Sequence, residues 1–164
     1  MRLIIRTDAS VRIGSGHLMR SLTLAEELRE NGSDVTFISR AHTGNMNFMI
    51  SQKGFKVLEL PTAEPKQSIK STKPGDNYDQ WLGVSQKRDA KESINKLGQI
   101  YYDWLIVDHY GLDEVWEKEM RPHVKNVMVI DDLANRPHDC DLLLDQNWFE
   151  NMETRYENLV PTGC

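Results

Sequence analysis

The run Arg6-Thr7-Asp8-Ala9-Ser10-Val11-Arg12-Ile13-Gly14-Ser15-Gly16-His17-Leu18-Met19-Arg20 joins an apolar stretch to a glycine turn and an imidazole. A strand at Leu3–Arg6 and a helix starting at His17 would set Gly14, Gly16 and His17 at the mouth of an α/β crevice. Backbone N–H groups at a helix start attract anions, and a neutral imidazole there can act as a general base. The helix dipole also favours the uncharged ring. A dinucleotide fingerprint needs a third glycine three residues after the second. Met19 holds that position, and no Lys-Ser or Lys-Thr pair follows, so neither that fingerprint nor a P-loop fits. Arg20 lies one turn beyond His17 and shares its face. Arg6 and Asp8 fall at the carboxyl end of the strand, and Ser10 in the loop. The plainer alternative is a histidine that caps its helix among solvated loop residues.

Two further clusters follow apolar strands. Asp108-His109-Tyr110-Gly111 ends the stretch from Asp103, where an open α/β sheet presents its ligand crevice. Asp108 could instead cap the next helix. Asp131-Asp132 ends another strand and could serve as an acid–base pair or bind Mg²⁺. A local Asp132–Arg136 pair is the simpler expectation. His138 and Cys140 lack the paired ligand spacing of a zinc site.

The elements that must position these residues alternate along the chain. Strands are expected at Leu3–Arg6, Val35–Ser39, Lys56–Leu60, Trp104–Asp108, Val127–Ile130 and Leu142–Leu144. Helices are expected at His17–Asn31, Asn45–Lys53, Gln86–Leu97 and Leu112–Met120. Near-continuous aliphatic strands with helices between them predict a Rossmann-like, doubly wound, mostly parallel α/β domain over 1–150. The stretch Pro61–Gln80 is polar and proline-rich, and reads as a surface loop or a lid over the crevice. Residues 151–164 read as the start of a linker to a further domain.

The 164 residues suffice for one domain with a core. The net charge of −5, without a basic block, gives no footprint for nucleic acid. No apolar run approaches the roughly 18 residues of a membrane span, and the N-terminus becomes charged too early for a signal peptide. Cys140 and Cys164 are expected as reduced thiols in a cytoplasmic protein.

Taken in order, Arg6-x-Asp8-x-Ser10, Ile13-Gly14-x-Gly16-His17-x-x-Arg20, Asp108-His109-Tyr110-Gly111, Asp131-Asp132, His138-x-Cys140-Asp141-x-Leu143-Leu144 and Tyr156-x-x-Leu159-Val160-Pro161 resemble one family. It is the N-terminal domain of the UDP-sugar hydrolases of pseudaminic acid biosynthesis, a family that includes spore coat polysaccharide biosynthesis proteins. The resemblance implies the N-terminal half of a GT-B-type fold. It is similar in outline to the lipid II-forming N-acetylglucosaminyltransferase. It further implies inverting attack of water on the anomeric carbon of a UDP-2,4-diacetamido-trideoxy-hexose, with His17 as base. Tyr110 matches an active-site position. Arg6, Asp8, Ser10, Gly14, Gly16, Arg20, Asp108, His109, Asp131 and Asp132 are candidates for substrate contact or support. No metal or cofactor is implied. The expected partners are the UDP-sugar and a C-terminal UDP-binding domain, without which the chain should have little activity. Two other readings are a polysaccharide glycosyltransferase domain and a non-catalytic sugar-binding module.

Overall fold

The computed structural model describes residues 1–63 and 78–164. Its strands are β1 (Arg2–Thr7), β2 (Asp34–Arg40), β3 (Lys56–Leu60), β4 (Tyr102–Asp108), β5 (Val124–Ile130) and β6 (Leu142–Leu144). Between them lie helices α1 (Gly16–Glu30), α2 (Asn47–Gln52), α3 (Asp79–Leu82), α4 (Gln86–Leu97) and α5 (Glu114–Met120). The strands form one sheet in the order β3-β2-β1-β4-β5-β6, with every neighbouring pair parallel. This is the Rossmann-like strand order, and its direction reverses between β1 and β4. The expected doubly wound α/β architecture is therefore present. Pairing of Thr7 with Asp108 brings the carboxyl ends of β1 and β4 side by side at that switch point.

Alternation along β1 divides the core into two layers. Leu3 and Ile5 pack with Leu18, Leu22 and Ala25 of α1 and with Phe37 and Ile50. Ile4 faces the other layer, with Ala90, Leu105, Trp116 and Val127. The same alternation carries Arg6 to the Ile4 side, so a guanidinium occupies a core position. It is fully buried. Two carboxylates compensate it. Arg6 Nη1 and Nη2 lie 2.5 and 2.9 Å from the Asp8 oxygens, while Nε and Nη2 lie 3.2 and 2.9 Å from those of Asp89 in α4.

Arg40, at the end of β2, extends this network. It reaches Asp89 at 2.6 Å and Glu92 at 2.7 Å, and donates to the Pro61 carbonyl at 2.8 Å. Trp116 of α5 donates its indole N–H to Asp89 at 2.9 Å. The backbone N–H of Arg40 donates to Asp8 at 2.7 Å. One buried cluster thus fastens β1 and β2 to α4 and α5.

Boundaries differ from expectation where a side chain diverts the backbone. Asn45 accepts from the N–H of Asn47 and donates to the His42 carbonyl, so α2 begins two residues late. Asp113 accepts from the N–H of Val115 and sets the start of α5 beyond Leu112. Gly32, in the left-handed backbone region, turns the chain after α1 as expected. Most of the anticipated lid lies outside the described residues. Its far end forms the short helix α3, which the sequence pattern did not anticipate.

Breaking the Arg6 cluster leaves an uncompensated buried charge. Asp89→Ala is expected to cost about 3–5 kcal/mol in urea unfolding. Burial alone would raise the Asp8 and Asp89 carboxyls, but Arg6 outweighs it and holds both below their usual range. Their stabilising contribution is complete above the unfolded carboxylate pKa, near ~4. It is lost as pH falls through the lower folded-state values. The melting temperature should accordingly drop steeply in acid below about pH 4, and Asp8→Asn should flatten that slope.

Candidate active site

The glycine turn begins with Ser10. Its Oγ accepts from the N–H groups of Arg12 and Ile13, and its carbonyl accepts from Gly14 at 2.8 Å. Gly14 has a positive φ, a conformation that disfavours a side chain. Ser10 thus spends its hydroxyl on the loop itself. Gly14 and Gly16 are exposed. Ser15 precedes α1 without capping it through its side chain, so the first amides of α1 have no intrahelical acceptor.

His17, in the first turn of α1, is nearly buried. Its Nδ1 lies 2.6 Å from Asp108 Oδ1. Arg20 grips the same carboxylate, with Nε 2.9 Å from Oδ2 and Nη2 2.5 Å from Oδ1. Ser21 donates its hydroxyl to Oδ2 at 3.2 Å. Arg20 Nη2 also lies 3.2 Å from His17 Nδ1. One nitrogen cannot donate to Asp108 and accept from Arg20 at once. The shorter contact to the carboxylate decides the matter: Nδ1 carries the proton, and Arg20 is near only because both groups share Asp108.

In its uncharged form such a ring keeps its lone pair on Nε2. Among the described residues, Nε2 has no hydrogen-bond partner. Asp108 is fully buried, and burial would push its carboxyl up. The bonds from His17 and Arg20 outweigh that and hold it below its usual range. It therefore stays ionised. A base oriented through its far nitrogen by an ionised carboxylate is suited to taking a proton from a bound nucleophile.

Tyr110 packs its ring edge-on to His17, with centroids 4.4 Å apart, and donates its hydroxyl to Asp132. Burial and the Asp132 carboxylate push the phenol well above its usual range, so its proton is retained. Trp81 of α3 stacks on Tyr110 at 5.7 Å and meets His17 edge-on at 5.9 Å, and Tyr78 packs on both Trp81 and Tyr110. These rings form an aromatic wall beside the imidazole. Arg12 bonds Gln80 at 3.4 Å and ties this wall to the glycine turn. Gly111 permits the close approach: a Cβ there would meet the Tyr78 carbonyl oxygen at 2.6 Å.

Several sequence candidates take places other than the crevice surface. Arg6 and Asp8 lie beneath it, consumed by the buried cluster, and offer no exposed atom for substrate contact. His109 is buried. Its Nδ1 accepts from the Gly111 N–H at 3.0 Å, while Nε2 makes an off-line contact with Asp8 at 3.2 Å. Burial lowers its pKa, although Asp8 opposes the shift.

Asp131 is likewise buried and organises a turn by accepting from Leu133 and Ala134. Arg136 pairs with Asp131 at 2.7 Å, not with Asp132 as expected. Asp132 is held by Tyr110 and by Asn147 at 2.8 Å. Asp108 binds back to α1 and caps no following helix. Thus His17, Arg20, Asp108 and Tyr110 converge, with Gly14 and Gly16 alongside.

Sequence reasoning missed Ser21, Tyr78, Trp81 and Asp89. Ser21 was findable, lying four residues after His17 on one helix face. Trp81 follows an irregular stretch with no period to place it. Among the described residues, no group of acidic, His and Cys side chains has the arrangement of a metal site. No helix is long and apolar enough to cross a membrane.

The fold and this crevice define the chain as a Rossmann-like α/β domain with a polar cluster at its switch point. Over its whole length it is 30% identical to the UDP-2,4-diacetamido-2,4,6-trideoxy-beta-L-altropyranose hydrolase of Campylobacter jejuni, of which it spans 48%. The chain is thus related to one half of that hydrolase, as the ordered motifs suggested. It is also 28% identical over 132 residues to an uncharacterized protein of Methanocaldococcus jannaschii, covering 80% of the chain and 22% of that protein. The chain therefore spans half or less of the length of the curated relatives it matches. No family model matches. The Acinetobacter baumannii MurG structure shares the fold, with a TM-score of 0.52 and 10% identity over 81% of this chain and 35% of its own.

Asp108→Asn removes the charge that binds both His17 and Arg20. The expected loss is about 1.5–3 kcal/mol in chemical denaturation, because the new amide presents a donor to an arginine that only donates. A variant as stable as the wild type would contradict the role of the Asp108 charge in holding His17 and Arg20.

Proposed function

We propose that this chain is the N-terminal, base-bearing domain of a UDP-sugar hydrolase acting on a UDP-2,4-diacetamido-trideoxy-hexose. The observation that carries this reading is the Asp108-oriented His17 at the sheet's switch point, with Nε2 unpartnered among the described residues. Full-length relatedness to one half of the Campylobacter jejuni hydrolase supports the substrate class. In this reading a second domain completes a GT-B-type cleft and holds much of the UDP.

The chemistry needs a positioned water and a leaving group. His17 Nε2 accepts a proton from the water as its oxygen bonds to the anomeric carbon. The bond from that carbon to the β-phosphate oxygen breaks, and UDP departs with the electron pair. Attack opposite the leaving group inverts the configuration. Asp108 stabilises the imidazolium that forms, and Arg20 keeps Asp108 ionised. Tyr110 holds the ring edge-on and, with its proton retained, acts by packing. The open amides at the start of α1 suit the negative charge of a diphosphate. Arg6, Asp8, His109 and Asp131 support the crevice from below.

The test uses the protein carrying both domains, the UDP-sugar and ¹⁸O-labelled water. Release of UDP with one ¹⁸O on the anomeric carbon of an inverted free sugar is expected. Transfer to a saccharide acceptor instead of water would contradict the hydrolase reading. His17→Ala should lower kcat about 10²–10⁴-fold, and a loss under tenfold would remove the base assignment. The 164-residue chain alone should turn over the substrate poorly. Robust hydrolysis by it would overturn the need for a second domain.

A further inference from the structure

The two cysteines of the chain are far apart in sequence but meet in space. Cys140, in the turn before β6, is buried in the α4–α5 core layer. Cys164 is exposed, and its Sγ lies 3.3 Å from that of Cys140. One backbone bond joins the two segments independently of the sulfurs: the His138 N–H donates to the Leu159 carbonyl at 2.7 Å. Within the second segment the Cys164 N–H donates to the Pro161 carbonyl at 3.1 Å and closes a turn. Val160 packs onto the core cluster that contains Cys140.

We propose that Cys140 and Cys164 form a reversible intrachain disulfide that straps residues 151–164 to the domain. Bond formation needs only a short further approach of two sulfurs already in contact, between segments joined by the His138–Leu159 backbone bond. The oxidant is a low-molecular-weight disulfide such as oxidised glutathione. The exposed Cys164 thiolate attacks it, forms a mixed disulfide and expels one thiolate. The Cys140 thiolate then attacks the Cys164 sulfur and expels the second. Each protein thiol loses one proton, and the reagent leaves as two thiols. Burial and the neighbouring Cys164 raise the Cys140 thiol, so the exposed Cys164 is the first to react and Cys140 the resolving partner.

The strap bears on the crevice rim. Tyr156 donates its hydroxyl to the Asp131 carbonyl at 2.7 Å, and Arg155 bonds the Asp132 carbonyl at 2.5 Å and Asp145 at 3.0 Å. Asp132 in turn accepts from Tyr110, which packs against His17. Fixing 151–164 covalently therefore steadies the side of the crevice that holds the aromatic partner of the imidazole.

The test treats the purified chain with oxidised glutathione and maps it by peptide mass spectrometry without reduction. A Cys140–Cys164 cross-linked peptide is expected, reversed by dithiothreitol, with the melting temperature raised by about 5–10 °C. Deuterium uptake over 151–164 should slow in the oxidised protein and stay unchanged in Cys164→Ser treated identically. The proposal is overturned if both thiols remain titratable, if glutathione stays on Cys164, or if the bond links two chains. Equal uptake in oxidised and reduced protein would overturn the strap.

Discussion

The buried guanidinium of Arg6 is the constraint on which the rest of this domain depends. It stands in the middle of an apolar sheet, at a position its neighbours reserve for an aliphatic side chain. A charge there is tolerable only when carboxylates and hydrogen bonds enclose it. Asp8 meets it from just beyond the end of β1 and Asp89 from α4. Asp89 also receives Arg40 and Trp116, so solving one burial problem fixes the relation of β1, β2, α4 and α5. The cluster contributes geometry more than net stability, because desolvation offsets much of its attraction.

The crevice inherits that geometry. Asp8 fixes the end of β1 and accepts the backbone of β2, while β4 pairs with β1 up to Thr7 and Asp108. The chain leaves β1 into the glycine turn and returns as α1, which brings His17 and Arg20 over Asp108. A second charged cluster then sits a few residues above the first. The lower one is sealed and structural. The upper one leaves the His17 Nε2 without a hydrogen-bond partner among the described residues. Arg20 and Ser21 share the Asp108 carboxylate with His17, so the ring's orientation does not rest on one bond.

The periodic parts of this fold were legible in the sequence. Aliphatic runs marked the six strands of the sheet, and the Gly14–His17 turn announced the helix behind it. The switch point followed from strand order, and with it the meeting of His17 with the Asp108 segment. What could not be read was the division of labour among polar residues at the strand ends. Arg6, Asp8, Asp108 and Asp131 all look like crevice residues by position, yet each is buried. Pattern gives a residue's place along a strand but not the partner that draws its side chain inward. Asp89 was hidden for the converse reason, as one charge in a helix rich in charge. Trp81 and Tyr78 border a proline-rich stretch whose composition carries no period. Arg136 chose Asp131 over Asp132 because the Asx turn at 131 aims that carboxylate back toward it, a detail of turn geometry that spacing does not encode.

The central claim is that Asp108 fixes His17 with its proton on Nδ1 and its lone pair on Nε2. The most direct measurement is the ¹⁵N chemical shifts and two-bond couplings of the His17 ring in the neutral state, compared between wild type and Asp108→Asn. The account predicts an Nδ1–H tautomer with a free Nε2 in the wild type, and a mixed or reversed tautomer in the variant. An Nε2–H tautomer in the wild type would place the proton where the proposed base must be empty and would contradict it.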